Sequence, residues 1–191
     1  MGLTILAGLI LLLIVFGTLA YLTTIYNSLV RLKNDIDKAW ANIDVMLKQR
    51  HDELPKLLDV VKGYMNYERD TLLKITQARS MYQQAVTMDQ KAQADQSMTT
   101  ALRGFFAVAE NYPDLKANNN FLQLQKRITE LENQIADRRE FYNDSVNTFN
   151  IRIQQMPDTF VASFMNVQPR SMFKVEEADK TDVPMTFGAA R

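Results

Sequence analysis

Few residues in the chain could carry catalysis, and their spacing is poor for it. His51 is the single histidine and there is no cysteine, so one subunit cannot build a Ser-His-Asp triad, a histidine-pair metal site or a thiol nucleophile. Glu130 and Glu132 lie two residues apart, which places their side chains on different faces of a helix. Glu68 and Asp70 have the same spacing. The sequence therefore predicts no catalytic, cofactor-binding or metal site, and a protein that is not an enzyme.

The charges balance and begin only at Arg31. Twenty-two basic residues face twenty-two acidic ones, so the net charge is zero. A neutral chain has no overall field that would attract nucleic acid. There is also no glycine-rich phosphate loop. We expect no nucleic-acid partner and no small-molecule substrate.

The stretch from Leu3 to Leu22 contains no charged side chain. As a helix its twenty residues span about 30 Å, the thickness of the hydrocarbon core of a bilayer. The alternative is a cleaved signal peptide, but no basic segment precedes this stretch, it is too long, and it ends on a poor cleavage site. We interpret it as a retained transmembrane anchor in contact with the lipid bilayer, represented by Leu3, Leu6, Ile10, Leu13, Phe16 and Leu22.

Basic residues flank the anchor on one side only. Arg31, Lys33 and Lys38 follow it, and nothing basic precedes it. The positive-inside rule then places the N-terminus outside and the rest of the chain in the cytoplasm. The excess of basic residues on the C-terminal side of the anchor, on which this orientation rests, is three.

Apolar residues after the anchor recur in steps of three and four, the heptad pattern of packed helices and coiled coils. No glycine or proline lies between Thr18 and Glu53, so we expect the anchor to continue into the domain as one rod. At Pro55 we expect a kink or a restart. The next helix should then run to about Met88, with Gly63 marking the close approach of a neighbouring backbone. The first stripe comprises Ile25, Leu29, Leu32, Ile36, Ala39 or Trp40, Ile43 and Leu47.

The second half of the chain predicts three more helices. A polar passage over 87–99 should be a turn, followed by a helix over 94–111 that Tyr112-Pro113 ends. Asn118 should cap a long helix whose apolar stripe runs over 121–153 and whose mixed charges form a solvated face. The segment 157–167 should be a short amphipathic helix, either a lid on the bundle or a contact to the membrane surface or a partner. The tail should be extended or loosely docked.

No segment has the alternation of a strand. The fold class is therefore all-α: an N-terminal transmembrane helix followed by a long antiparallel, up-down helical bundle. We divide the chain into an anchor over 1–24, a bundle over 25–168 and an extended tail over 169–191.

Three blocks of sequence resemble the LemA family. They are YNSLVRLKNDIDKAWANIDVMLKQRHDELPKLLDVVKGYMNYE, AVAENYPDLKANNNFLQLQ and ENQIADRREFYNDSVNTFN, in the family's order and spacing. The likeness runs from about residue 26 to 169. The matching positions are Tyr26, Asn27, Trp40, Asp44, Arg50, Pro55, Lys62, Gly63, Tyr64, Tyr112, Pro113, Asp114, Leu115, Lys116, Asn118, Phe121, Leu122, Arg139, Tyr142, Asn143 and Asn150.

The resemblance implies a bacterial membrane-anchored helical bundle in a family without an established catalytic activity, one member of which is used in magnetosome assembly. We expect Asn27, Asn143 and Asn150 to pair across helices or to face water, since a buried amide without a partner is costly.

Two functions of different classes remain open. The first is a scaffold that self-associates, because the stripe that continues from the anchor would leave more apolar surface than one thin bundle covers. The second is an adaptor that binds and modulates another membrane protein, such as a protease or a sensor. An enzyme whose site forms between subunits is the least favoured possibility.

Overall fold

The computed structural model describes residues 1–65 and 68–173. Its elements are six helices: α1 (Gly2–Val61), α2 (Arg69–Gln84), α3 (Met88–Ala109), α4 (Pro113–Lys116), α5 (Asn119–Arg152) and α6 (Asp158–Phe164). Within the described ranges there is no strand, which confirms the all-α class. Most of the proposed tail lies outside the described residues, which reach only to Phe173.

Helix α1 joins the anchor to the bundle without interruption. Residues 1–24 are all exposed, and this part of α1 is long and apolar enough to cross a membrane. Burial begins at Ile25 and follows the predicted stripe. The prediction of one rod is confirmed, and a restart at Pro55 is wrong because α1 continues to Val61. Buried Leu54 and Leu57 flank the proline, so packing offsets the backbone hydrogen bond that it removes.

The core has two parts along the rod. Helix α5 packs along α1, and both core parts draw on this pair. The proximal core, next to the anchor, adds residues of α6 and Phe173 to the two long helices. The distal core, farther from the anchor, adds residues of α2, α3 and α4. The bundle is thus closed by different elements at its two ends.

The turn between α1 and α2 lies where the sequence predicted a helix. After Val61 the chain bends through hydrogen bonds from the amides of Tyr64 and Met65 to the Val61 carbonyl, and Met65 is buried. Gly63 sits in this turn, and a Cβ there would meet nothing within 4 Å. The predicted close approach of a backbone at Gly63 is therefore wrong.

The turn between α2 and α3 is shorter and earlier than predicted. Thr87 caps α3: its side chain accepts from the Gln90 amide, and the Gln90 side chain accepts from the Thr87 amide. This capping box starts the helix at Met88. The expectation of a turn over 87–99 overlooked the Thr-x-x-Gln signal, and the helix ends at Ala109.

The start of α5 agrees with the prediction. The Asn118 side chain accepts hydrogen bonds from the amides of Asn120 at 2.9 Å and Phe121 at 3.2 Å. Pro113 occupies the first turn of α4, where its missing N–H costs nothing. Leu115 fills the distal core, so α4 plugs that end of the bundle.

Candidate functional site

The residues of the family signature gather at three levels of the bundle. Tyr26 and Asn27 are exposed where α1 leaves the anchor. A middle group either contacts the chain segment 169–173, which we call the strap, or lies in the polar clusters near it. A third group forms the distal end and the turns there. The middle group comprises Trp40, Asp44, Arg50, Arg139, Tyr142, Asn143 and Asn150, and the distal group comprises Pro55, Gly63, Tyr64, Tyr112, Pro113, Asp114, Asn118 and Phe121.

Two asparagines of α5 hold the strap by its backbone. The Asn150 amide group donates to the Arg170 carbonyl at 2.9 Å, and its oxygen accepts from the Arg170 amide at 2.9 Å. Asn143 repeats this arrangement on Phe173, donating to the carbonyl at 3.1 Å and accepting from the amide at 2.7 Å. Each side chain thereby bonds to both the N–H and the C=O of one strap residue, as the backbone of a neighbouring strand would. The expectation that Asn143 and Asn150 pair across helices or face water is wrong.

The distance between the two asparagines along α5 matches the distance between the two strap residues that they bind. Seven residues of helix separate Asn143 from Asn150, which is about 10.5 Å along the axis. Three residues of extended chain separate Arg170 from Phe173, which is about 10 Å. The strap therefore runs antiparallel to α5 with both amide pairs in register. The residues that recognise it read backbone groups, so the arrangement suits an extended peptide of variable sequence.

An aromatic anchor fixes the end of the strap. Phe173 is 5% exposed, and its ring lies 6.0 Å from Trp40 and 4.8 Å from the Arg139 guanidinium. Tyr142 packs edge-on against Trp40 at 5.9 Å, and its hydroxyl donates to the Ser171 carbonyl at 3.0 Å. Burial raises the pKa of the Tyr142 phenol, so it stays a donor at neutral pH.

A group of polar side chains that we call the charge cluster packs beside the strap. Arg50 and Asp95 are buried in it, and Thr99, Glu132 and Arg139 are half-buried. Arg50 is 3% exposed and donates to Asp95 at 2.6 Å, to Thr99 at 3.2 Å and to Glu132. Thr99 also donates to Glu132 at 3.0 Å. Arg139 pairs with the second oxygen of Asp95. Two cations and two carboxylates from α1, α3 and α5 thus balance one another, as burial of charge requires.

The charge cluster was not predicted from the sequence, although the sequence contains a signal for it. The prediction assigned Glu132 and Arg139 to a solvated face, and that assignment is wrong for these two. Both continue the buried stripe of α5, since 128, 132, 135, 139 and 142 follow one another in steps of three and four. Arg50 interrupts the stripe of α1 in the same way, between Leu47 and Leu54. A charge at an apolar position of each long helix indicates an internal pair.

Asp44 forms a smaller polar group on α1, about two turns nearer the anchor than Arg50. Its carboxylate accepts from Lys91 at 2.6 Å and lies 3.5 Å from the Tyr82 hydroxyl. Burial, and then the Asp44 charge, raise the pKa of Tyr82 to about 12. His51 lies against the same tyrosine, with ring centroids 5.2 Å apart. The histidine therefore packs between α1 and α2.

The distal group of signature residues serves turns and caps. Asn118, the cap of α5, donates to the Tyr64 hydroxyl at 3.1 Å, and Tyr112 donates to Glu68 at 2.9 Å. That hydrogen bond raises the pKa of the Tyr112 phenol. Phe121 is buried in the distal core, beside Phe105 at 6.3 Å. These contacts join the turn between α1 and α2 to the start of α5 and to the turn before α4, and they join α3 to α5.

The polar side chains at the centre of the molecule form hydrogen bonds and ion pairs with one another. Among residues 1–65 and 68–173 no group of three or more His, Asp or Glu side chains is placed to hold a metal ion. At the middle level Asn143 and Asn150 bind the backbone of the strap, and Phe173 fills the aromatic pocket at its end.

Comparison with known proteins gives one family and a small set of relatives. The model of the LemA family matches residues 39–187. Protein LemA of Metamycoplasma hominis is 32% identical over 159 residues, covering 82% of this chain and 72% of the relative. Magnetosome proteins MamQ 1 and MamQ 2 of Paramagnetospirillum magneticum are each 22% identical over 198 residues, covering 88% of this chain and 73% of each relative.

Proposed function

The chain belongs to the LemA family, and from that premise we propose that it is a non-enzymatic scaffold, anchored in the bacterial inner membrane, that self-associates there. Its partners in this proposal are the lipid bilayer and further copies of the same chain. Three of its relatives are named as magnetosome proteins, which is consistent with a part in a larger assembly.

The observation that carries the proposal is the unbroken helix α1. Its 60 residues amount to about 90 Å, of which about 30 Å belong to the anchor and the rest to the bundle. A continuous helix fixes the bundle at a set angle to the membrane, whereas a loop would leave it free to tumble. Fixed orientation is what identical copies need in order to repeat the same contact.

The charged residues after the anchor support a cytoplasmic bundle. Arg31, Lys33 and Lys38 are all exposed, within about 24 Å along α1 of Leu22, the end of the anchor. Exposed basic side chains at that level favour the cytoplasmic leaflet, which is rich in anionic lipid. The N-terminus then lies outside.

The non-enzymatic part rests on how the polar side chains are used. Arg50 and Arg139 are committed to carboxylates, and Asn143 and Asn150 to the strap. Catalytic groups need a free face toward a substrate, and the arrangement here gives these side chains a structural task instead.

An adaptor that binds another membrane protein is the second candidate, and two observations favour it. The stripe of α1 was expected to leave surface for a second copy, but Ile25, Leu29, Ile36, Ile43 and Leu47 are all buried within the monomer. In addition, α2 and α3 enclose an open groove of about 910 Å³ on the outer side of the bundle. Its lining mixes glutamine, threonine and apolar side chains, which suits a protein partner.

The deciding measurement is the mass of the full-length protein in mild detergent, by light scattering on a sizing column. A fragment that begins at Thr23 is the matched comparison, because it keeps the core residues Ile25 and Leu29 and loses only the anchor. A discrete oligomer of the full chain supports the scaffold. If the fragment keeps that oligomer, the bundle holds the contacts, and if it becomes monomeric, the anchor does. Monomers for both overturn self-association and favour the adaptor.

A further inference from the structure

We propose that α6 is a second membrane contact, which inserts Phe160 and Phe164 into the bilayer interface beside the anchor. This inference rests on the membrane anchoring of α1 and is independent of self-association. It assigns a partner, the lipid surface, to a face of α6 that no described element covers.

Helix α6 is amphipathic over only seven residues. Asp158, Val161 and Ala162 are buried, and Val161 and Ala162 belong to the proximal core. On the other face Phe160 is 64% and Phe164 is 89% exposed. Residues four apart share a helix face, so the two rings form one apolar patch. A pair of phenylalanines this exposed is costly in water and marks a contact surface.

Charge on and around α6 is neutralised. Asp158 is the one ionisable residue of the helix, and Arg152 pairs with it through two nitrogens at 2.7 and 2.5 Å. From Ile153 to Gln168 the chain has no other charged side chain. The adjacent Ile151 and Met156 are also exposed. A surface without free charge can enter the interface without the cost of burying an ion.

The position of α6 along α1 brings this patch to the membrane. Arg152, which holds Asp158, also donates to the Ser28 hydroxyl at 2.5 Å. Ser28 lies six residues beyond Leu22, the end of the anchor, and therefore about 9 Å from the edge of the hydrocarbon. The interfacial layer on each side of that core is about 5–8 Å thick, so a phenylalanine side chain at this level can reach it.

Aromatic and basic residues of α1 mark the same level. Tyr21 and Tyr26 are exposed at the end of the anchor, where tyrosine is enriched at membrane interfaces. Arg31 and Lys33 are exposed one to two turns farther on, within reach of anionic headgroups. The patch of α6 thus continues an existing membrane surface and favours lipid over a protein partner.

The test uses tryptophan as a depth probe in the full-length protein, reconstituted into vesicles whose phospholipids carry brominated acyl chains. The variants are Phe160→Trp and Phe164→Trp, read against the parent protein with its single tryptophan, Trp40. The matched control is Phe141→Trp, which is 56% exposed on α5. Its neighbour Tyr142 contacts Trp40, about 27 Å along α1 from Leu22. Phe16→Trp, within the anchor, reports insertion of the span itself.

We expect bromine to quench the emission added at positions 160 and 164, and to leave that at 141 unchanged. The proposal is overturned if positions 160 and 164 are not quenched while position 16 is. It is also overturned by equal quenching at 141, which would mean that the whole bundle lies on the membrane. A blue-shifted emission at 160 and 164 that bromine does not reduce would overturn it too, because it would mean that a protein covers the patch. Loss of quenching at position 16 would instead remove the anchoring premise. The scaffold proposal is tested separately, by mass.

Discussion

The two ends of the bundle are closed in different ways. At the distal end two full helices, α2 and α3, pack on the α1–α5 pair through buried apolar side chains such as Ile75 and Phe105. At the proximal end the same pair is closed by α6 and a five-residue strap, which is held by side-chain to backbone hydrogen bonds and one aromatic ring. Burial of helices gives the distal end its stability, whereas the proximal end depends on a few specific contacts that can open locally.

The charge cluster lies where the two regions meet. Arg50 follows the last buried residue of α1 in the proximal core, Leu47, and precedes the first in the distal core, Leu54. Through Asp95 and Glu132 it ties α1 to α3 and α5 at that junction. The cluster therefore holds the two regions in one register.

The largest expected effect comes from breaking that junction with Arg50→Met. Removal of the cation leaves the Asp95 and Glu132 carboxylates without their central partner, which typically costs about 3–5 kcal/mol. We expect the free energy of unfolding in urea, measured on the full-length protein in mild detergent, to fall by that amount.

The control for this prediction is Arg127→Met, because Arg127 is exposed on the outer face of α5. Its effect should stay within about 0.5 kcal/mol. A loss below about 1 kcal/mol for Arg50→Met would show that the cluster does not couple the two regions.

Phe173→Ala tests the proximal region alone. The ring fills the pocket of Trp40 and Arg139, but the strap can detach without unfolding the helices, so the loss is limited to about 2 kcal/mol. Hydrogen exchange should show lost protection at the amides of Arg170 and Phe173, with the distal amides unchanged. Loss of protection in α3 as well would contradict the separation of the two regions.

The two long helices could be predicted from the sequence better than the contacts of the strap and of the charge cluster, for a physical reason. The long stripes of α1 and α5 determine those helices locally, and the Asn118 cap is a local signal as well. The strap is extended, and its partners Asn143 and Asn150 lie about twenty to thirty residues away, so no local pattern indicates them. The partners of Arg50 are 45 and 82 residues away. The sequence shows a charged residue at an apolar position of α1, but it does not indicate which residues that side chain contacts.

Asn150→Ala separates the hydrogen bonds of the strap from its aromatic anchor. The variant removes two bonds to Arg170 at a half-buried site where water can replace them, so we expect a loss of about 1 kcal/mol. The matched control is Asn147→Ala, an exposed asparagine on the same helix with the same change in helix propensity. Equal effects of the two substitutions would show that the strap gains nothing from this amide.

The smallest effect is a pH dependence at the junction. The pKa of Tyr82 is raised from 10.0 to about 12, chiefly by burial and then by Asp44, so the folded state favours the neutral phenol. Its contribution to stability is therefore complete below pH 10 and is lost as the pH rises from 10 toward 12. Tyr82 is only partly buried, so solvent reduces the size of this effect. In Tyr82→Phe the tyrosinate absorbance of the protein should lose amplitude at the alkaline end of the titration, near pH 12. An unchanged absorbance there would contradict the assignment of this late ionisation to Tyr82, and with it the effect of burial and of Asp44 on that phenol.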